Sequence, residues 1–356
     1  MSIIDVNLGA KSYQIEIAAG LLDKAGEKIR AVNQKAQRAA IISDSNVDAL
    51  YGERMQQALA NSGFAATRIV FPAGEQSKCL AELAKIYDRL AEAGITRSDL
   101  VVALGGGVTG DLGGFAAATF LRGVDYVQVP TSLLAQIDSS VGGKVAVDLP
   151  AGKNLVGNFY QPKLVLIDTE LLKTLPVRFL HDGLAEAIKY GCIRDKALFD
   201  KIAAMHSDEE LLANIGSIVE RCCAIKAEIV EHDEFDTGER MVLNFGHTIG
   251  HAVEKCCGYA TYTHGEAVGI GMVLLTKQTE QLGLTKKGTA EAICRVLQKY
   301  NLPVDAPYAE TELLAGIGMD KKKSGSSITL IVLKEIGSSF LQKTDLQDLP
   351  AYVKRS

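Results

Sequence analysis

The chain has 356 residues, of which 47% are hydrophobic and 23% are charged, and its formal net charge is −5 at pH 7. This length predicts two domains. The acidic balance excludes the basic surface of a nucleic-acid binder, and no apolar run approaches the roughly 20 residues that a membrane span needs.

The cysteines and the first residues indicate the cellular compartment. The seven cysteines include no C-x-x-C pair, which favours reduced thiols over a disulfide framework. The opening residues, "MSIIDVNLGAKSYQIEI", lack the basic and then apolar pattern of a secretion signal. We therefore expect a cytoplasmic protein.

The first half of the chain alternates β-rich runs with helical stretches. Residues 3–17 predict a β-hairpin that turns near Gly9 and Ala10. Strands that are bounded by turns and separated by helices predict βαβ units and a parallel sheet. The strands expected after the hairpin are "RAAIISD" (38–44), "TRIVFPAGE" (67–75), "DLVVALGGG" (99–107), "YVQVPTS" (126–132) and "KLVLIDT" (163–169).

From about Leu175 onward the sequence is mostly helical, because apolar residues recur at helical spacing and only "SSITLIVLKEIG" (326–337) is strand-like. The helical segments are 178–193, 211–233, 247–258, 264–283 and 288–301. The predicted fold class is therefore α/β followed by all-α. A Rossmann-like parallel-sheet domain is expected over residues 1–174 and a mainly α-helical domain over residues 175–356.

A glycine-rich turn in the first half is a candidate nucleotide site. "GGGVTGD" follows a predicted strand and begins a helix, and Gly105, Gly107 and Gly110 fit the spacing G-x-G-x-x-G. Such glycines let the backbone approach a pyrophosphate, and the helix N-terminus adds N–H donors. The next strand lacks a terminal acidic residue, so Asp44 at an earlier strand end is the candidate for ribose hydroxyls. The alternative is a tight turn without a ligand.

Polar loops are expected after several of the predicted strands. Open α/β sheets bind ligands at the edge where parallel strands end, so these loops are expected at one such edge. Their candidate binding residues are Glu75 and Lys78 in "AGEQSK", Thr131 and Ser132 in "PTS", Lys144 after a glycine pair, and Lys153 in "GKN".

Two histidines in "NFGHTIGHAVE" are candidate metal ligands. His247 and His251 stand four residues apart on a predicted helix, so both imidazoles lie on one face. Thr248 replaces the glutamate of H-E-x-x-H, which disfavours a metalloprotease. His264 and Glu186 are candidates to complete a catalytic zinc site. The alternative for any one histidine is a core or capping residue.

The other charged residues are less specific. Lys189 follows Glu186 by three residues and shares its helix face, which fits either an exposed ion pair or part of a site for a polyanion. The remaining histidines, His181, His206 and His232, have charged or loop-like surroundings and are expected to face solvent.

Nine segments, in this order, closely resemble the 3-dehydroquinate synthase family. They extend from about residue 44 to 322, and together they are far more specific than any one of them. The segments are "AGEQSK", "ALGGGVTGDLGGFAAATFLRGV", "QVPTSLLAQIDSSVGGKVAVD", "GKNLVGNFYQP", "LIDTELLKTLP", "GLAEAIKYG", "RMVLNFGHTIGHAVE", "HGEAVGIGM" and "DKK".

The resemblance implies an N-terminal α/β domain that binds NAD and a helical C-terminal domain, in a homodimer. It also implies zinc or cobalt, held by Glu186, His247 and His264, with His251 facing the substrate rather than the metal. By this resemblance the NAD contacts are Asp44, Glu75, Lys78, Gly106, Gly107, Val108, Gly110, Asp111, Thr131, Ser132, Lys144, Lys153, Leu171 and Thr174.

The same resemblance assigns Arg122 to the substrate phosphate in the partner's site. The other implied substrate contacts are Asp138, Lys144, Asn154, Lys189, Lys226, Arg240, Asn244, His251 and Lys322.

The implied activity converts 3-deoxy-D-arabino-heptulosonate 7-phosphate to 3-dehydroquinate and phosphate. It proceeds by transient oxidation with NAD, loss of phosphate, re-reduction and an intramolecular aldol reaction. The expected partners are a sugar phosphate and a second copy of the chain, with no nucleic acid and no membrane. The alternatives are another sugar phosphate cyclase, such as a 2-deoxy-scyllo-inosose synthase, a metal-dependent polyol dehydrogenase, and a binding protein without activity.

Overall fold

A computed structural model describes residues 1–257, 261–321 and 327–354. The chain forms two compact units. Unit 1 comprises Met1–Leu175 and Ile215–Phe235, and unit 2 comprises Pro176–Asn214 and Asp236–Ser356. The segment 215–235, which the sequence analysis expected in the second domain, thus groups with unit 1. The boundary after residue 174 stays a prediction.

Unit 1 contains a seven-stranded sheet, whose strands follow the order β1 (Ser2–Val6), β2 (Tyr13–Ala18), β9 (Leu164–Asp168), β6 (Asp125–Pro130), β5 (Leu100–Gly105), β3 (Arg38–Asp44) and β4 (Ala65–Phe71). The first two strands form an antiparallel hairpin and all other neighbours are parallel, so the predicted Rossmann-like sheet is confirmed.

Helices cover both faces of this sheet. They are α1 (Ala25–Val32), the single turn α2 (Ser45–Val47), α3 (Glu53–Asn61), α4 (Leu80–Glu92) and α5 (Gly107–Thr119). Successive side chains of a strand point to opposite faces. In β3, Ile41 belongs to one apolar cluster with Met55 of α3, and Ile42 belongs to another with Phe115 of α5. Burial on both faces explains why β3 and β5 are nearly continuous apolar runs.

A second, two-stranded sheet in unit 1 was missed by the sequence analysis. Residues 144–159, read as loops, form an antiparallel hairpin of β7 (Lys144–Leu149) and β8 (Gly152–Phe159). Five of the eight residues of β8 are polar or glycine, so the strand lacks the apolar alternation that identifies a half-buried strand. Its pairing with β7 decides its conformation.

Unit 2 is mainly helical, and the described part of it has one two-stranded sheet. The sheet pairs β10 (Ser327–Glu335) with β11 (Ser338–Asp345), a polar strand that the sequence analysis did not predict. Helix α8 (Asp208–His232) begins in unit 2 and ends in unit 1. The other helices are α6 (Val177–Arg194), α7 (Lys196–Ala204), α9 (His247–Cys256), α10 (His264–Gln281), α11 (Thr289–Lys299), α12 (Glu310–Lys321) and α13 (Pro350–Val353).

Among the described residues, none of the helices combines the length and the apolar composition that a membrane crossing requires.

Candidate active site

Helix α6 provides the acidic residue of the candidate metal site. It is buried from Leu180 to Ile193, so it is a core helix rather than an amphipathic surface helix. Glu186 lies on its buried length and is 0% exposed, and Lys189 is 1% exposed. The ammonium group of Lys189 contacts Glu186 Oε2 one turn away. A carboxylate this deeply buried needs a cation to compensate its charge.

Two histidines from other helices reach the same carboxylate. The Nε2 atom of His247, at the start of α9, is 3.6 Å from Glu186 Oε1, and that of His264, at the start of α10, is 3.7 Å away. Ligand atoms of these three side chains all lie within 4.8 Å of one another. The structure therefore brings together the three residues that the sequence analysis selected as metal ligands.

These residues suit a divalent metal ion. Both oxygens of Glu186 are buried; Oε1 accepts no hydrogen bond from any described residue, and Oε2 is in contact with the ammonium group of Lys189. One carboxylate and two imidazoles are a ligand set that binds catalytic zinc and leaves a position open for substrate. A cation between Glu186 Oε1 and the two Nε2 atoms would satisfy the carboxylate, so the chemistry of the site fits the metal.

The two histidines differ in their electrostatic surroundings. Burial lowers the pKa of His247 well below its usual range, and the charge of Lys189 lowers it further. Burial also lowers the pKa of His264, but the neighbouring carboxylates of Glu254, Glu186 and Asp182 outweigh it and raise the pKa to about 9. His247 is therefore neutral near pH 7, as a metal ligand must be, whereas His264 would release a proton if a metal ion bound.

Helix α6 also holds the first turn of α10 in place. Asp182 Oδ1 accepts a hydrogen bond of 2.6 Å from the backbone N–H of Gly265. A Cβ atom at Gly265 would lie 2.0 Å from the Asp182 carbonyl oxygen, so only glycine fits there. Arg178 donates two hydrogen bonds of 2.8 Å to Glu266, which accepts a further one from the Thr263 backbone N–H. The sequence analysis missed these residues, although Arg178 and Asp182 precede Glu186 at helical spacing.

The other substrate candidates of unit 2 are placed around helix α9. The ring of His251 is exposed, with its centroid 5.5 Å from that of His247. Arg240 is 2% exposed, in the helical turn before α9. Asn244 ends that turn and lines a cavity of about 240 Å³ with residues of β10. Lys322 lies outside the described residues.

One histidine is placed differently from the prediction. His181 was expected to face solvent, but it is 7% exposed and its Nε2 atom lies 2.7 Å from Asp208 Oδ1. Its ring also meets the edge of Tyr300. Because α6 is buried on all sides, its polar residues are buried with it, and His181 needs these partners.

In unit 1, the nucleotide candidates follow the carboxyl ends of the parallel strands. Asp44 ends β3 and accepts hydrogen bonds from the backbone N–H groups of Asn46 and Val47. Thr131 follows β6, and its backbone N–H donates to Gly105 O at the end of β5. The candidates at the adjoining strand-to-helix turns are Gly106, Gly107, Val108, Gly110, Asp111 and Ser132. They share one edge of the sheet, as expected.

A buried ammonium group connects several loops at this edge. Lys78 is 5% exposed, and its Nζ atom is 3.0 Å from Glu75, 3.3 Å from Asp111 and 3.8 Å from Asp148. Burial lowers the pKa of Lys78, but these carboxylates outweigh it and raise the pKa above its usual value. Burial raises the pKa of Asp111 to about 6 despite the nearby ammonium group. Asp148, on β7, was not predicted, because the hairpin that carries it was not.

The remaining nucleotide candidates lie on two other segments of unit 1. Leu171 and Thr174 belong to a short helical turn after β9, where Thr174 and the Leu171 carbonyl contact the Tyr51 hydroxyl. Lys153 is on β8, and its Nζ atom is 3.9 Å from Glu75. Lys144 begins β7 and is exposed.

Two of the substrate candidates of unit 1, Lys226 and Asp138, form an ion pair. Lys226 of α8 is 5% exposed and donates to Asp138 through its carbonyl oxygen, at 2.6 Å, and its carboxylate, at 2.8 Å. Asn154 has a φ of 56° and donates its backbone N–H to Asp148. Arg122 is exposed, and it and Leu121 both have positive φ, an uncommon conformation for residues other than glycine.

Known proteins resemble the chain over its full length. The family model described as 3-dehydroquinate synthase N-terminal matches residues 68–182, and that described as 3-dehydroquinate synthase C-terminal matches residues 183–323. A curated relative, "3-dehydroquinate synthase" of Clostridium acetobutylicum, is 50% identical over 355 residues, which are 99% of each chain.

Two solved structures share the fold. A 2-deoxy-scyllo-inosose synthase complexed with carbaglucose-6-phosphate, NAD⁺ and Co²⁺ has a TM-score of 0.87 at 24% identity and covers 99% of both chains, so the likeness shows the fold alone. The 2-epi-5-epi-valiolone synthase ValA from Streptomyces hygroscopicus, with NAD⁺ and Zn²⁺ bound, has a TM-score of 0.85 at 26% identity, and the match covers 96% of this chain and 95% of ValA.

Proposed function

The chain belongs to the 3-dehydroquinate synthase family, and from this premise we propose that it converts 3-deoxy-D-arabino-heptulosonate 7-phosphate to 3-dehydroquinate and phosphate. It is an enzyme of the carbon–oxygen lyase type that uses NAD and a divalent metal ion, zinc or cobalt. One observation carries the proposal at the site. Glu186 is fully buried, its Oε2 contacts the ammonium group of Lys189, and its Oε1, which accepts no hydrogen bond from any described residue, faces two imidazoles.

The cofactors divide between the two units. Glu186, His247 and His264 of unit 2 would hold the metal ion. The residues at the strand ends of unit 1, among them Asp44, Glu75 and Lys78, would hold NAD. When bound, the metal supplies Lewis acidity to substrate hydroxyls and NAD supplies a reversible hydride acceptor.

Cations in each unit are candidates to bind a polyanionic substrate. The substrate carries a carboxylate and a phosphate, and guanidinium and ammonium groups bind both by charge-assisted hydrogen bonds. In unit 2, Lys189 and Arg240 are nearly fully buried, which strengthens their interaction with an anion. In unit 1, Asp138 holds the ammonium group of Lys226 in one position. Held groups of this kind restrict the substrate to one conformer, and this restriction lowers the barrier of each step.

Another sugar phosphate cyclase is the second candidate, because the two similar structures are cyclases with other substrates. The identity of 50% with a 3-dehydroquinate synthase, against 24% and 26% with those cyclases, supports the heptulosonate. Lys226 and Arg240 support it as well, since a cyclase that acts on glucose 6-phosphate has no substrate carboxylate to bind.

Turnover of the heptulosonate phosphate tests the function directly. We expect phosphate release that needs catalytic NAD, stops with a chelator and returns with added Zn²⁺ or Co²⁺. Absorbance of free NADH should not rise, because the nicotinamide is reoxidised within each turnover. Accumulation of NADH would indicate a polyol dehydrogenase, and faster phosphate release from glucose 6-phosphate or sedoheptulose 7-phosphate would indicate another cyclase.

We also propose a cytoplasmic homodimer. All seven cysteines lie in the described part of the chain and are free thiols, which is consistent with a reducing compartment. In the dimer, Arg122 of one subunit would bind the substrate phosphate in the site of the other.

A further inference from the structure

In each of the two candidate ligand histidines, the Nδ1 atom points away from Glu186, and the two Nδ1 atoms face different acceptors. Both rings present Nε2 to Glu186. The Nδ1 atom of His247 is 3.2 Å from the carbonyl oxygen of Phe245, and the Nδ1 atom of His264 is 3.8 Å from Glu254 Oε1. Each imidazole therefore has one nitrogen toward the candidate metal position and the other toward an oxygen of the protein.

Glu254 is a buried carboxylate that the proposed function does not use. It is 4% exposed and follows His247 by seven residues and His251 by three on α9, so the three side chains share one helix face. A carboxylate in the core is stabilised only by groups that donate to it or compensate its charge. Its position beside His264 suggests what it does.

We propose that Glu254 is a positioning residue that accepts the Nδ1–H of His264 and so keeps Nε2 of that ring toward the metal ion. The inference rests on the proposed function, because it assumes the metal site at Glu186, His247 and His264. Metal-binding histidines commonly donate their second N–H to a carboxylate or a carbonyl, which sets the tautomer and the ring orientation and makes the ligand more basic. Here Phe245 supplies the carbonyl for one ring and Glu254 supplies the carboxylate for the other.

A competing use of the same residues is a metal site formed by His251, Glu254 and His264. Their ligand atoms also lie within 4.8 Å of one another. Glu186 favours the first arrangement, since its buried Oε1 accepts no hydrogen bond within the described part of the chain and both Nε2 atoms face it. The two arrangements predict opposite roles for Glu254, which is an outer acceptor in one and a ligand in the other.

Metal binding by the E254Q variant tests the proposal. Metal-free protein would be titrated with Co²⁺ and Zn²⁺ against a competing chelator, without substrate, and the visible spectrum of the Co²⁺ form would be recorded. We expect E254Q to keep one metal ion per chain, to bind it roughly 10- to 100-fold more weakly, and to shift the Co²⁺ bands. E254D, which keeps the charge, should lose less affinity, and it replaces E254Q if that variant does not fold.

E16Q is the control, because it also removes a buried carboxylate, one that pairs with Lys28 in unit 1 and belongs to no candidate site. It should change the metal affinity by less than about threefold, whatever its effect on the melting temperature. Equal losses of affinity in E254Q and E16Q would overturn the proposal. A stoichiometric metal ion retained in E186Q and lost in E254Q would overturn it too, in favour of the site with His251.

Wild-type turnover separates this inference from the proposed function. If the wild type does not turn over the heptulosonate phosphate but E254Q weakens metal binding, the function is wrong and the role of Glu254 stands. If the wild type is active and E254Q binds metal with unchanged affinity and spectrum, the function stands and the role of Glu254 is refuted.

Discussion

Burial determines what Glu186 can do. On an exposed helix face, the pair it forms with Lys189 would contribute little to stability, because water screens both charges. Here both residues are 1% exposed or less, so leaving either charge without a partner would be costly. The carboxylate and the two imidazoles can therefore supply ligand atoms to a bound cation, while the ammonium group of Lys189 compensates part of the carboxylate charge.

The E186Q variant tests the ligand role. Because the amide oxygen carries no charge, we expect the metal affinity to fall by roughly 100-fold or more, and bound metal and activity should be lost together. Metal content after dialysis, measured by elemental analysis, and turnover are the readouts, with circular dichroism as a check of folding. The control is E239Q, which replaces an exposed glutamate that is paired with Arg194 in the same unit. This variant should retain metal. Full metal content in E186Q would refute the assignment.

At the scale of elements, helix α6 organises unit 2 around the candidate metal site. Arg178, Asp182 and Glu186 are spaced by four residues and so lie on one face. The first two bind the start of α10, at Glu266 and Gly265, and the third meets His264 of the same helix. One helix face thus both contributes a candidate ligand and fixes the orientation of another, as a pre-organised site requires.

The R178M variant tests this contact through its pH dependence. Burial raises the pKa of Glu266, but its hydrogen bond with Arg178 outweighs this and lowers the pKa below the usual 4.5. A depressed carboxyl pKa stabilises the fold above the unfolded pKa, and the effect is lost as pH falls through the folded pKa.

Since Arg178 is largely exposed, R178M should cost only about 0.5–1 kcal/mol at pH 7, or roughly 1–4 °C in melting temperature. The difference from the wild type should shrink as the pH falls below about 4.5. Thermal melts from pH 7 to pH 3.5 provide the measurement. R295M, which removes an exposed pair with Glu291, should show almost no difference at any pH. A difference in melting temperature between R178M and the wild type that grows as the pH falls would contradict this prediction.

At the scale of the whole molecule, the proposal assigns one cofactor to each unit and one phosphate contact to a second subunit. The NAD candidates are at the strand ends of unit 1, and the metal candidates are in the helical core of unit 2. Arg122 is exposed and does not belong to either group of cofactor candidates. A role in the partner's site gives this exposed guanidinium group a function.

Mixed subunits of R122A and E186Q test both the dimer and the shared site. Each variant alone should be nearly inactive. After unfolding and refolding together, about half of the dimers should contain one subunit of each kind, and one of their two sites would be complete. We therefore expect about a quarter of wild-type activity. Activity no higher than that of the separate variants would indicate that Arg122 acts in its own subunit or not at all.

The sequence by itself determined the order and kind of the main elements. Apolar runs such as that of β5 are long enough to be recognised without a partner, and helical spacing identified α6, α9 and α10. For Glu186, His247 and His264, spacing identified candidates, and only the resemblance to a known family implied that the three hold one metal ion. Local pattern suffices for the strands and helices because the burial of an element sets the spacing of its apolar residues.

The tertiary structure alone decided the features that depend on partners distant in the chain. The hairpin of β7 and β8 has too few apolar residues to be recognised without its pairing, and Asp148 was missed with it. Asp182 and Glu254 show nothing unusual in the sequence, whereas Glu266 fits the T-x-x-E capping box with Thr263. They matter because packing places them against Gly265, His264 and Arg178, and the pKa and charge of a buried group are set by the atoms around it rather than by its neighbours in sequence.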